Sequence, residues 1–453
     1  MAHLAAWLAV CLVVAWVLRA RPVWALALVL VLWTSVPAVA GHHLTGLRSG
    51  ALGFHPATWL VLVVFGVQLL VNPGPLADSV VRYGPVQLGM VVFALAAFLT
   101  SRATGSGGTR LLLDQIVGPV LLWCLVVAYA HADVRALRLL RNTVLLTMAA
   151  QSALTLVQSL LGSSIFWAAD FLNIYWFDPE TTERWFGTSD SPLVLSLGLV
   201  VAGCLALGVR SSAVRFGLFV LYLLGMLVTQ SRTGAAALIV VVAFSVLRAR
   251  MALWTRALTV TALAVATYFV ATSSLVAGVS GRIANDTGST DARIRAYAFV
   301  ADHWTDFFAT GQGLVSSYSV ARDAGLQTSL ESAYLMYAVD TGIVLATLYF
   351  GVQLALVFRY ATQRALVGGT LAALSGTLLQ HTFSSVAFSN FDGTFIWTAL
   401  GMVVVARSVD PLPPARTASS TSRPAAIRVP QPAGAPGNWE SRALARSRTS
   451  EPS

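Results

Sequence analysis

Runs of roughly 15 to 25 apolar residues, each bounded by charge, recur along this chain from residue 4 to residue 406. In hydrocarbon a spanning segment must satisfy its own backbone groups, so such runs become helices. The candidate spans are 4–18, 22–40, 57–71, 86–100, 111–130, 139–161, 193–209, 214–229, 233–247, 257–276, 332–358, 365–388 and 394–406. They predict an all-α polytopic integral membrane protein of 12–13 transmembrane helices, with 1–406 as one membrane domain. Only 11% of the 453 residues are charged, against about 25% in soluble proteins, so three ordinary soluble domains are excluded. The first run has no basic leader and a second follows Arg19 and Arg21, so both read as retained helices rather than a signal peptide.

The positive charge consists of 29 arginines and no lysine. With the N-terminus outside, thirteen fall in short cytoplasmic connections: Arg19, Arg21, Arg82, Arg135, Arg138, Arg141, Arg210, Arg215, Arg248, Arg250, Arg256, Arg359 and Arg364. Nine fall outside: Arg48, Arg102, Arg110, Arg184, Arg232, Arg282, Arg293, Arg295 and Arg322. Dispersal among loops argues against nucleic acid as a partner. The tail 407–453, rich in Pro, Ser, Ala and Arg, reads as disordered and cytoplasmic. Cys11, Cys124 and Cys204 lie inside apolar runs and show neither disulfide nor zinc spacing.

Two long connections, 162–191 and 278–331, fall on the outer side. In the first, "FLNIYWFDPETTERWFGTSD", aromatic residues alternate with charge, which fits either a segment lying on the membrane or a wall of a sugar-binding cleft. The second contains an amphipathic helix pattern over 291–308, with Ile294, Ala298, Ala301 and Thr305 on one side and Tyr297, Val300, Trp304 and Phe307 beside them; "GQG" at 311–313 ends it. Arg293 and Arg295 diverge by about 200° on a helix, so only one can face a given site.

No P-loop, GxGxxG, HExxH, CxxC or GxSxG motif is present, so any chemistry rests on arginines, carboxylates and histidines. Arg232, between two spans parted only by "QSRT", makes those spans a tight hairpin. Its guanidinium suits phosphate oxygens, while headgroup anchoring explains an interfacial arginine equally well. Glu331 begins a long span, where helix capping is the alternative to a catalytic role. Asp340, deeper in that span, is expected to meet an arginine such as Arg232 or Arg293. His303 fits a surface position as readily as a base, and His381 fits hydrogen-bonded packing.

Three pieces in fixed order, "SRTG" (231–234), "RIRAYAFVADHWTDFFATGQG" (293–313) and "LESAYLMYAVDTG" (330–342), resemble the O-antigen ligase and O-unit polymerase superfamily of bacterial polysaccharide enzymes. The resemblance is strongest over 215–360. The family pattern is Ser-Arg, then an Arg with an aromatic four residues on and a closing Gly-x-Gly, then a polar residue heading a helix with an acid-Gly pair inside. Arg232, Arg293 with Tyr297, Gly311 with Gly313, and Asp340 before Gly342 take those places.

The resemblance implies a transferase or polymerase acting on an undecaprenyl-diphosphate-linked glycan and an acceptor glycan or lipid. It implies location in the bacterial cytoplasmic membrane, without metal or cofactor, and a flippase and chain-length regulator as candidate partners. Arg232 and Arg293, with Arg282 or Arg295, would hold the diphosphate, and Glu331, or failing it His303, would be the base. Ligases of the family usually place a histidine at the position of Glu331, which tilts the expectation toward a polymerase. A transporter or flippase for such glycans is the alternative; it predicts pseudo-symmetric halves, whereas charge here crowds one late outer loop.

Overall fold

The computed structural model describes residues 1–131, 133–174, 177–178, 182, 184–248, 287–326, 329–361 and 367–409. The expected span 257–276, Arg282 and the tail from residue 410 lie outside the described residues. The described helices are α1 (Ala2–Val17), α2 (Pro22–Ser35), α3 (Pro56–Val71), α4 (Gly74–Thr104), α5 (Thr109–Tyr129), α6 (Val134–Leu161), α7 (Pro192–Ala206), α8 (Ser212–Thr229) and α9 (Arg232–Arg248). After the undescribed segment come α10 (Thr287–Asp302), α11 (Ser316–Asp323), α12 (Ala333–Thr341), α13 (Ile343–Tyr360), α14 (Val367–Leu379) and α15 (Asp392–Val409). Short helical turns and loops join them, and no strand occurs among the described residues. Five helices, α4, α5, α6, α8 and α13, are long and apolar enough to cross a membrane, and α1, α2, α3, α7 and α9 are shorter apolar helices. The protein is thus an all-α polytopic membrane protein.

Helix starts follow ordinary capping chemistry. His55, Asp133 and Ser191 each accept a backbone N–H from the first turn they precede, and Pro56 and Pro192 occupy positions where a missing N–H costs nothing. At the centre, α7 is buried almost all round, packed against α6, α8, α9, α14 and α15. Lipid gives apolar helices little reason to associate, so contact depends on close approach of backbones. Glycines supply it. A Cβ on Gly198 would lie 2.7 Å from Met148 Sδ, and one on Gly401 2.8 Å from Val126 Cγ1.

Several expected elements change shape. Helix α4 begins at Gly74 rather than near residue 86 and kinks where Tyr83 leaves helical geometry, two residues before Pro85. Inside α5, residues Leu112–Val117 form a π-helical turn. It brings Asp114 into reach of Thr58 Oγ1 at 2.7 Å, the His55 N–H at 2.9 Å and Ser389 Oγ at 2.9 Å. The expected span 365–388 stops as an α-helix at Leu379, and α15 runs on to Val409.

The largest departure concerns the span 332–358, which breaks at Gly342 (φ +100°) into α12 and α13. The "GQG" loop docks on the break. Gln312 N–H donates to the Val339 carbonyl at 2.9 Å, Gly313 N–H to the Asp340 carbonyl at 2.8 Å, and Val344 N–H to the Phe308 carbonyl at 3.2 Å. Among the described residues Asp340 meets no arginine. Its carboxylate is fully buried and accepts from Val315 N–H (2.9 Å), Ser316 Oγ (3.2 Å) and Ser317 N–H (2.7 Å). The start of α11 has unsatisfied N–H groups of its own, so it supplies donors to this buried carboxylate.

A Cβ on Gly311 would collide with the backbone of Asp340 and Thr341. We therefore expect Gly311→Ala to force the loop off the break and cost about 1–3 kcal/mol. Thermal unfolding in detergent and protease sensitivity over 308–316 measure this; an unchanged profile would refute the docking.

Candidate active site

A cavity of about 930 Å³ opens at the end of the bundle where the 162–191 and 308–332 connections lie. That size lies at the upper end of ordinary ligand pockets. One wall is made of backbone that carboxylates and arginines lock in place. The N–H groups of Ala38 and Val39 donate to Asp190 at 3.0 and 3.3 Å, while Arg110 Nη2 donates to the Ala38 carbonyl at 2.7 Å. Burial pushes the Asp190 carboxyl up to about 7, against those two N–H groups. Arg110 also lies 3.5 Å from Asp114, so one guanidinium joins α5 to the loop after α2.

The 162–191 connection folds on itself. Phe171, Phe177, Trp185 and Phe186 are buried together with Val228. Its polar residues Asp178, Thr182, Arg184 and Asp190 line the cavity, so the segment forms a wall with these four aromatic residues as its filling. Its end is fixed by α6. Gln158 Oε1 accepts the Gly187 N–H and Gln151 Oε1 the Thr188 N–H, both at 2.9 Å.

The hairpin around Arg232 is as tight as expected, with only Gln230 and Ser231 between α8 and α9. Gln230 takes a left-handed backbone (φ +52°) and lines the cavity; the Thr229 carbonyl accepts from Arg184 Nε at 3.0 Å. Half-buried Arg232 opens α9 but is not among the lining residues. A cation at a helix N-terminus opposes the macrodipole, so Arg232 adds to a region already favourable to anions.

Glu331 also lines the cavity, in a left-handed backbone (φ +53°), and its Oε2 lies 3.8 Å from Arg293 Nη2. The same nitrogen donates to the Thr382 carbonyl at 3.1 Å. Burial raises the Glu331 pKa, while Arg293 and a hydrogen bond with Ser329 draw it back. Val315, also left-handed (φ +75°), lies beside them. Three of the four described non-glycine residues at positive φ therefore line this cavity, each such geometry costing about 1–3 kcal/mol.

Other sequence candidates lie elsewhere. On α10 the buried stripe is Ala292, Ala296 and Val300, small enough for close packing; Ile294, Tyr297 and Trp304 are exposed, contrary to the expected apolar face. Arg295 and Tyr297 are exposed, as is His303, whose Nδ1 lies 2.8 Å from the Phe299 carbonyl. Gly311, Gly313 and Asp340 form the docked break described above, behind the lining residue Val315. His381 packs edge-on to Phe350. The sequence reading did not single out Arg110, Arg184, Asp190 or Gln230. The first two belonged to its outer arginines, and a polar residue ending an apolar helix, as Gln230 does, was the available signal.

Residues 217–350 match a family model described as O-antigen ligase. No curated protein matches the chain. The matched stretch runs from α8 into α13 and contributes Gln230, Val315, Tyr318, Ser329 and Glu331 to the cavity, with Arg232 and Arg293 beside them. Over this stretch the chain is similar to the O-antigen ligase family of glycan-transferring membrane enzymes.

Proposed function

We propose that the protein polymerises an undecaprenyl-diphosphate-linked glycan at the outer face of the bacterial cytoplasmic membrane, with single transfer to an acceptor glycan or lipid as the variant of the same reaction. The observation that carries this reading is Glu331, whose carboxylate pairs with Arg293 from a left-handed backbone and lines a cavity that Arg110 and Arg184 also line. In this reading the lipid tail lies among the helices and the diphosphate meets Arg232 and Arg293, with Arg110 and Arg184 as further cations. Arg282 and Arg295 were the other candidates; Arg295 is exposed, and Arg282 lies outside the described residues.

The reaction needs a base and a stabilised leaving group. Glu331 takes the proton from an acceptor sugar hydroxyl, the oxygen attacks the anomeric carbon, and the bond to the diphosphate breaks with inversion. Fixed guanidinium charge stabilises the departing diphosphate, so the step passes through no metal. Glu331 is preferred to His303 because it lines the cavity and His303 does not. A flippase and a chain-length regulator would supply substrate and limit product.

Purified protein given diphospholipid-linked oligosaccharide from its host should produce a glycan ladder. Arg232→Ala and Arg293→Ala should each reduce it by about 10²–10³-fold, and Glu331→Gln by about 10²–10⁴-fold. Normal ladders from these variants would reject the assignment. Unchanged glycan with wild-type protein, coupled to movement of the lipid-linked glycan across vesicles, would make it a transporter.

The pH profile gives a second test. Only ionised Glu331 accepts a proton, so activity falls as pH drops through its raised pKa, above the ordinary 4.5. Arg293 favours the ionised form, so residual activity in Arg293→Ala should show an acid limb at higher pH. An acid limb in the same place would separate Glu331 from the base role.

A further inference from the structure

A second cluster lies outside the cavity, where the loop after α2 meets the 162–191 connection. His42 and His43 belong to the turn His42–Thr45, and Asp170 to the turn Ala168–Phe171. His43 Nε2 lies 2.9 and 3.1 Å from the two Asp170 oxygens, and His42 Nε2 3.6 Å from Asp170 Oδ1. One ligand atom from each of the three lies within 4.8 Å of the others.

Hydrogen bonding on the far side of His42 sets its tautomer. Its Nδ1 lies 3.0 Å from the Val39 carbonyl, which can only accept, so Nδ1 carries a proton. In a neutral ring the Nε2 lone pair then faces a carboxylate oxygen. That buried nitrogen has no hydrogen-bond partner. Two acceptors face each other unless a cation or a second proton lies between them. A carbonyl holding the remote N–H of a histidine is also the usual outer support of a metal-ligating imidazole.

We propose that His42, His43 and Asp170 bind a divalent transition-metal cation of the zinc class, which clamps the loop after α2 to the 162–191 connection. Two imidazoles and a carboxylate are a donor set zinc favours, with a fourth position left for water. A recess of about 270 Å³, lined by His42, provides the entry path. Trp167, just before the Asp170 turn, is held in left-handed backbone (φ +61°), with its Nε1 donating to the Ser35 carbonyl at 3.1 Å and its ring stacked on His43. The strained approach sets Asp170 against the histidines. The clamp braces the wall that Asp190 closes on Ala38 and Val39, and it takes no part in glycan transfer.

The test uses full-length protein in detergent, purified with a tag that lacks histidine and stripped by chelator. Titration with Co²⁺ should give one saturable equivalent with a visible d–d band, displaced by Zn²⁺. His42→Ala and Asp170→Asn should each weaken binding by at least about 10-fold, while His303→Ala leaves it unchanged. Zn²⁺ should also slow proteolysis within 162–174 in wild-type protein. Absence of a saturable equivalent in wild-type protein overturns the proposal without recourse to any variant. Binding that survives both substitutions overturns it as well.

Discussion

When a membrane-spanning run breaks partway along, the carbonyls released at the break must find donors, because lipid offers none. Here the donors are Gln312 and Gly313, carried in by a loop whose glycine at 311 leaves room for the backbone of Asp340. Asp340 completes the arrangement in the opposite sense, its buried carboxylate taking the N–H groups at the start of α11. The two halves are mutually dependent. Without the loop the break exposes its carbonyls, and without Asp340 the loop loses its anchor. Val315 sits directly on this joint and lines the cavity, so the joint's geometry is the cavity's geometry.

The cavity lining comes from three parts of the chain. The stretch matched by the O-antigen ligase family supplies Gln230, Val315 and Glu331. Arg110 from α5, with Arg184 and Asp190 from the 162–191 connection, precedes that match, and Phe383, Ser384 and Ser389 follow it.

How far the sequence revealed this depended on whether a feature was local. Helix positions followed from runs of apolar residues, and the "QSRT" hairpin from the four residues between two such runs. The break at Gly342 was hidden because "AVDTGIVLATL" remains apolar on both sides of it, so hydropathy joined α12 to α13. Asp340 looked like a charge in need of an arginine, since no local pattern shows that a helix start 23 residues earlier will face it. On α10 the large apolar residues suggested the buried face, but close packing selected the small ones, Ala292 and Ala296. The loop wall was legible only as alternatives, because aromatic residues that lie on a membrane and those that fill a loop have the same spacing.

Backbone strain connects the pieces. Gln230, Val315 and Glu331 each adopt a conformation that glycine would accept at no cost, yet none is glycine. The Gln230 and Glu331 side chains carry polar groups that a glycine would lose. Val315 meets Asp340 through its backbone N–H. The strain also sets direction. A left-handed residue between two helical segments turns the chain within one or two positions, which lets α9 begin at Arg232 immediately after α8 ends. Arg232 thus stands at a helix start for a topological reason as well as an electrostatic one: the turn at Gln230 leaves only Ser231 before the first turn of α9.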